Sequence, residues 1–272
     1  MAQIQLPAHA LAPAGAAPPG RLPAQGEVWV WWSRVRSDLA ASYLARNAMS
    51  AEETSRLAAM RRAAARDRFV LGSALVRSAA GHHLGLPPER VVVDRRCATC
   101  GKPHGKPAIP GGSGLEISLS HTDALVVCAV ARRTPIGVDV EDGAALLDGD
   151  AVAGMVLAPG EEAAYRDLPP AGRRAALLTY WTRKEALLKA TGDGLRVPMR
   201  RIEVTGPRED PRVIRWEQGP EPESLSMVTL RGPAGRFLGP AVAALAVIGE
   251  PPHHLVELDA TSTFTARSDH DG

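Results

Sequence analysis

Three groups of residues in this sequence have side-chain types and spacings that chemistry can use. The first is Gly137-Val138-Asp139-Val140-Glu141. Residues i and i+2 of a strand face the same way, so Asp139 and Glu141 set two carboxylates side by side at the end of an apolar strand. Two like charges that close need a cation, and hard oxygen donors suit Mg2+, which takes one or two carboxylates, waters and substrate phosphates. Taken alone, a D-x-E strand more commonly buries its valines and turns its acids to solvent. The second group is Trp181-Thr182-Arg183-Lys184-Glu185-Ala186-Leu187-Leu188-Lys189-Ala190-Thr191-Gly192. Leu177, Trp181 and Leu188 make an apolar stripe, and Glu185 and Lys189 share a neighbouring face at the spacing of an ordinary exposed helix ion pair. The third is Ser118-Leu119-Ser120-His121, which follows Gly105-Lys106-Pro107. No G-x-S-x-G elbow exists in the chain and adjacent strand residues point apart, which disfavours a Ser-His nucleophile pair. As phosphate ligands in a turn, the same side chains and their backbone amides are suitable.

Cys97-x-x-Cys100 with His104 has half of a zinc-site spacing. A second pair is missing, since Cys128 sits in an apolar run, so spacing alone does not make a structural zinc site. His82-His83 and His253-His254 have no partner spacing that recommends them and read as surface residues.

These groups must be positioned by a folded core, and 45% apolar residues in 272 supply one. The formal charge of +2 excludes a partner held by bulk charge alone. The longest apolar runs are about eight residues against the ~20 that span a bilayer, and the N-terminus has no basic secretory region, so a soluble cytoplasmic protein is expected. Three cysteines agree with a reducing compartment.

Along the chain, 1–25 and 260–272 are small and polar or proline-rich and are expected to be disordered. Glu27–Trp32 reads as a strand with two of its three tryptophans in the core. A helix opens at the capping box Ser50-Ala51-Glu52-Glu53, and a second covers Arg68–Leu84, stopped by Gly85 and Pro87. Short strands are expected at Val91–Asp94, Leu115–Ser120, Leu125–Val130 and Ile136–Val140, the last three as a meander. A helix over Ala175–Ala190 is followed by strands at Ile202–Thr205, Val213–Trp216, Met227–Leu230 and Ala241–Ile248. Helices and then antiparallel strands, twice over, predict an α+β fold in two halves, 26–134 and 135–259.

In this order, G-K-P, S-L-S-H, G-V-D-V-E and W-T-R-K-E-A-L-L-K-A-T-G-D-G-L resemble the 4′-phosphopantetheinyl transferases of the surfactin-synthetase-activating type. The resemblance runs from about Ser50 to Leu195, and element order extends it to about Ile248. It implies a pseudo-symmetric monomer with coenzyme A in the cleft between the halves. The implied reaction moves the phosphopantetheine arm of coenzyme A to a serine of an apo acyl or peptidyl carrier protein, leaving adenosine 3′,5′-bisphosphate. The length implies service to polyketide or nonribosomal peptide synthases, the short fatty-acid-type enzymes being about half this size.

By the same resemblance, Asp139, Glu141 and Glu185 hold Mg2+ with the pyrophosphate. Glu185 acts as general base toward the carrier serine, and Lys189 meets the α-phosphate and assists the leaving group. Ser120 and His121 bind phosphates. Lys106, with Arg56 and Arg68, meets the ribose 3′-phosphate. Two departures stand out: Glu53 falls where a basic residue is frequent, and Ser118 where many members have Asn. Glu161 resembles a further family acid before a helix, near the metal. The carrier is acidic, and Arg61, Arg62 and Arg66 or Arg173, Arg174 and Arg183 could dock it.

Two other classes are open to the same residues. One is a different Mg2+-dependent phosphoryl transferase or hydrolase that needs no carrier. The other is a non-catalytic zinc and nucleic-acid module built on Cys97 and Cys100, against which the near-neutral charge and missing ligands argue. No nucleic-acid or membrane partner is expected.

Overall fold

The computed structural model describes residues 19–47, 49–97, 99–142, 149–217, 222, 224–233 and 237–264. The segments 1–18 and 265–272, expected to be disordered, lie outside the described residues. The fold is mixed α+β. A first sheet has the strand order β2 (Leu115–His121), β3 (Leu125–Arg132), β1 (Glu27–Arg34) and β9 (His254–Asp259), and a second has β4 (Ile136–Glu141), β8 (Val242–Ile248) and β7 (Leu225–Leu230). A third pair joins β5 (Ile202–Val204) to β6 (Val213–Trp216).

The alternation along β1 explains how the layers stack. Trp29 and Trp31 face the helix α3 (Ala63–Leu84), together with Val126, Cys128 and Val130 of β3. Val28, Val30 and Trp32 face the other way, onto Ile136, Val138 and Val140 of β4 and Leu245 of β8. The outer face of the second sheet, through Ala244 and Ala246, receives the helix α6 (Pro170–Thr191). The order is therefore helix, sheet, sheet, helix. Both faces of β1 are covered, so all three tryptophans are buried rather than two.

The expected meander of β2, β3 and β4 is corrected, because β4 leaves for the second sheet. At the corner Arg133 adopts a left-handed φ of 53°, and Pro135 has no N–H with which to continue the ladder. Val91–Asp94 is not a strand; Asp94 forms only a single bridge to Ala108. The helices α1 (Ser37–Arg46), α4 (Gly149–Val156) and α5 (Pro159–Arg166) were not foreseen. The helix α2 (Ala51–Ala59) opens at the anticipated Ser50–Glu53 capping box, and Gly85 closes α3 in the left-handed conformation.

Two assignments at the ends also change. Residues 254–259, grouped with the second half, form β9 and pair in parallel with β1 of the first sheet. The turn Thr261–Phe264, expected in a loose tail, packs down: Phe264 is buried edge-on against Tyr43. At the other end Gly20 donates its N–H to the His82 carbonyl, and Leu22 packs on the first core. His83 is buried rather than at the surface, its Nδ1 2.9 Å from the Arg21 carbonyl oxygen. Burial pushes its pKa down to about 4, so the ring is neutral at pH 7.

The contact that most constrains the second half is between β4 and α6. A Cβ at Gly137 would overlap the Ala186 carbonyl oxygen and the Ala190 amide nitrogen and stand 2.9 Å from the Lys189 carbonyl carbon. Backbone meets backbone there, and only glycine permits it. Gly137→Ala is expected to destabilise the protein by about 2–4 kcal/mol through overpacking. Urea unfolding measures this, and a loss below about 0.5 kcal/mol would show that β4 and α6 can separate freely.

Candidate active site

The outer edge of β4 is where the sequence motifs converge. One flank of this strand pairs with β8, and its other flank has backbone groups with no paired strand among the described residues. Side chains satisfy them. Ser118 Oγ of β2 accepts from the Val138 N–H at 2.9 Å, and Lys106 Nζ donates to the Ile136 carbonyl at 2.9 Å. Ser118 is thus an edge clasp between the two sheets, which accounts for a short hydroxyl at a position where Asn was the alternative.

One step further along the strand, Asp139 is 2% exposed. Its Oδ1 accepts from Ser120 Oγ at 2.7 Å and from Lys189 Nζ at 2.6 Å, while Lys189 Nζ also donates to Ser120 Oγ at 3.0 Å. Its Oδ2 is buried with no hydrogen-bond partner among the described residues. An unsatisfied buried carboxylate oxygen is costly, and an external cation is the natural way to complete it.

The neighbouring acids point to the same deficit. Burial, with the charge of Asp139 beside it, pushes Glu141 up to about 7. Glu185, reached from α6, is raised for the same two reasons, with Lys189 offsetting part of the effect. Three carboxylates against one lysine leave the cluster short of positive charge. The donor set is all oxygen, which fits a hard ion such as Mg2+. Asp139, Glu141 and Glu185 do not draw together into a closed three-atom cluster; among the described residues that closeness is found only at Cys97, Cys100 and His104.

His121 closes β2 at the margin of this cluster. Crowding of its ring by protein atoms, with Arg68 and Lys189 nearby, holds its pKa below the ordinary imidazole range. Arg68 is paired with Asp123. Ser120, His121, Arg68, Asp139, Glu141, Glu185 and Lys189 thus form one neighbourhood. Arg56 and Lys106 make their contacts elsewhere. Arg56 donates to the Pro103 carbonyl at 3.1 Å and lies over the Phe69 ring, lining a small cavity with Glu53 and Arg95. Lys106 is held by Ile136 and, at 3.5 Å, by Glu116.

Glu53 accounts for its own departure from the expected basic residue. It completes the α2 cap through the Ser50 N–H at 2.9 Å and receives both arms of Arg77 at 2.7 and 2.8 Å. Burial works against its charge, yet Arg77 and the Ser50 amide hold its carboxyl below the usual range.

Two expectations for charged residues are corrected. Glu161 is not beside the acid cluster. It is 3% exposed, accepts from the Ala158 and Val204 N–H groups at 2.7 Å, and is ion-paired to the fully buried Lys184, which also donates to the Val156 carbonyl at 2.6 Å. Lys184 and Glu185 are adjacent in sequence and so project from α6 about 100° apart, one into the protein and one toward Asp139. The sequence showed Lys184 as one charge among several; only the layer of α5 and β5 over that face reveals its role. Arg183 and Arg173 are likewise not a free basic dock. Arg183 is 3% exposed and donates to the carbonyls of Thr205, Gly206 and Glu209. Arg173 donates to those of Leu168 and Arg166.

Comparison with known proteins bears on the same segment. Residues 135–246, from the start of β4 to β8, match the family model of the 4′-phosphopantetheinyl transferase superfamily. The chain is 37% identical over 133 residues to the 4′-phosphopantetheinyl transferase HetI of Nostoc sp., covering 48% of this chain and 54% of that protein. Identity to the 4′-phosphopantetheinyl transferase of Bacillus subtilis is 28% over 156 residues, 57% of this chain and 65% of the relative. To the transferase psf-1 of Bacillus pumilus it is 31% over 131 residues, 47% and 51% of the two chains. The matches thus span about half to two thirds of these curated relatives, and they support this enzyme class for the chain.

The raised Glu141 gives a pH signature of the metal-free protein. A carboxyl whose folded pKa lies above its unfolded value binds more protons when folded, so its contribution to stability falls as pH rises from about 4.5 to about 7. Glu141→Gln is therefore expected to raise Tm at pH 8 more than at pH 5 in metal-free buffer. Thermal unfolding at the two pH values checks it, and equal shifts would mean that Glu141 is ionised throughout.

Proposed function

We propose that this chain transfers the 4′-phosphopantetheine arm of coenzyme A to a serine hydroxyl of an apo acyl or peptidyl carrier protein, releasing adenosine 3′,5′-bisphosphate. The observation that carries the reading is the meeting of Ser120, Asp139 and Lys189 with Glu141 and Glu185, inside the segment that matches the transferase family. Phosphoryl transfer asks a protein chiefly for positioning and charge neutralisation, and this cluster supplies both signs of charge on rigid elements.

Each residue has a task that its surroundings support. Lys189 spends two N–H bonds on Ser120 and Asp139, leaving a third for an oxygen of the pyrophosphate and for charge on the leaving group. Glu185 has the raised basicity that a proton acceptor for the carrier serine needs. Asp139 Oδ2, Glu141 and Glu185 would hold Mg2+, which when bound neutralises charge on the phosphoryl group under attack. Ser120 and His121 orient the phosphates. Lys106, Arg56 and Arg68 are assigned to the ribose 3′-phosphate, for which Lys106 must exchange its bond to Ile136 and Arg68 its pairing with Asp123.

Two halves, each with a sheet under a 22-residue helix, support a pseudo-symmetric monomer with coenzyme A between them. Among the described residues no helix is long and apolar enough to cross a membrane. We place the enzyme in the cytoplasm, serving polyketide or nonribosomal peptide synthases. The carrier docks on Arg61, Arg62 and Arg66, which are exposed beside the start of α3.

The deciding experiment is the intact mass of apo carrier proteins after incubation with this protein, coenzyme A and Mg2+. The expected result is a gain of one phosphopantetheine arm. That gain should be lost without divalent metal and reduced about 10²–10⁴-fold in rate by Glu185→Gln. Release of adenosine bisphosphate without any carrier would instead identify a hydrolase.

A further inference from the structure

The loop between Asp94 and Ala108 has chemistry that the transfer reaction leaves unused. Among the described residues, Cys97, Cys100 and His104 bring three ligand atoms within 4.8 Å of one another, and Cys100 Sγ lies 3.0 Å from His104 Nε2. Both cysteines are free thiols. Four ligands around an ion with bonds of about 2.0–2.3 Å stand roughly 3.3–3.8 Å apart, so shifts of about 1 Å or less bring the three atoms to the separation of a tetrahedral site.

The backbone holds them there. The Cys97 N–H donates to the Lys102 carbonyl and the Gly101 N–H to the Cys97 carbonyl, both at 2.8 Å, while Gly101 turns the chain with φ of 69°. Gly105 then returns the chain so closely that a Cβ would lie 2.6 Å from the Arg96 carbonyl oxygen, and its own N–H donates to Arg95 at 2.7 Å. His104 is thereby set opposite the two thiols.

We propose that Cys97, Cys100 and His104 form a second metal site, selective for zinc or a similar borderline-soft divalent ion, distinct from the oxygen-lined acid cluster. Two thiolates and an imidazole are the ligand types that zinc prefers and that Mg2+ does not. Binding releases the two thiol protons to solvent, and water completes the fourth position, since Cys100 and His104 are exposed.

The site has a structural consequence. Arg196 Nη1 donates to Thr99 Oγ1 at 2.7 Å, while its Nε and Nη2 donate to Asp193 and Gly192 in the turn that ends α6. On the other side Pro103 accepts from Arg56 of α2. The loop therefore bridges an early helix and the end of the helix that carries Glu185 and Lys189, and a metal would hold it in one conformation.

Zinc content of the full chain, purified after growth with zinc and dialysed, tests the site by elemental analysis. About one zinc per chain is expected in the parent protein, and less than about one tenth of that in the double variant Cys97→Ser, Cys100→Ser. Cobalt replacement in the parent protein adds a readout independent of the variants' folding: thiolate-to-cobalt charge-transfer absorption in the near ultraviolet, with the strong visible bands of a four-coordinate ion. Zinc is further expected to raise Tm by several degrees in the parent protein only. The proposal is overturned by a folded parent protein that holds no zinc and gives no thiolate band with cobalt. Equal zinc in the double variant, or a Cys97–Cys100 disulfide persisting under reducing conditions, would overturn it too.

Discussion

The acid cluster depends on one close approach. β4 can lie against the backbone of α6 only because position 137 has no side chain, and the acids of the strand are brought to the acid of the helix by that contact. Val138 and Val140 face the sheet-to-sheet core, so the period of two turns Gly137, Asp139 and Glu141 together toward α6. A strand buried on both faces is normally apolar throughout. Here one face is apolar and the other has a glycine and two acids, which sets the chemistry of the site and its instability in one stroke.

That instability is managed from three directions. Ser118 and Lys106 satisfy the free edge of β4, so the strand can stand at the border of its sheet without a neighbour. Ser120 and Lys189 occupy one oxygen of Asp139 and leave the other open. The buried pair of Lys184 and Glu161 fixes the opposite face of α6 against α5 and β5, so the helix cannot rotate to relieve the crowding of acids. Removing one partner of such a pair strands the other charge in the interior, a loss of about 3–5 kcal/mol. The face of α6 that carries Glu185 and Lys189 is thus kept in register by the opposite face.

Much of this was legible in the sequence wherever a local rule applied. The capping box at Ser50, the glycine stops after α3 and α6, and the alternation in β4 each depend on neighbours a few residues away, and all are found in the structure. What depends on distant layers was not legible. The same periodicity fits Lys184 in a core or at a surface until α5 and β5 cover it. His83 and Arg183 carry the residue types of a surface, and only their packing against Trp29 and the 205–209 loop reverses that. The path of β4 into a second sheet was likewise hidden, because Arg133 at positive φ has no signature that sequence patterns mark. At the candidate site, the shared motif order groups the residues, whereas the open oxygen on Asp139 and the edge role of Lys106 depend on how distant side chains pack.

The parallel pairing of β9 with β1 has a further meaning for how the chain comes to be folded. The first sheet recruits its fourth strand from residues 254–259, more than two hundred positions after β1. Buried Glu257 of β9 then receives the Trp32 indole N–H and the Gly232 amide, so the seam is locked by polar contacts as well as by the ladder. During synthesis the first sheet must therefore wait, with one edge bare, until residues 254–259 have left the ribosome. Contacts that distant slow folding and lengthen the exposure of strand edges. The fold thus trades independence of its halves for a seam that closes only when a strand more than two hundred residues downstream arrives.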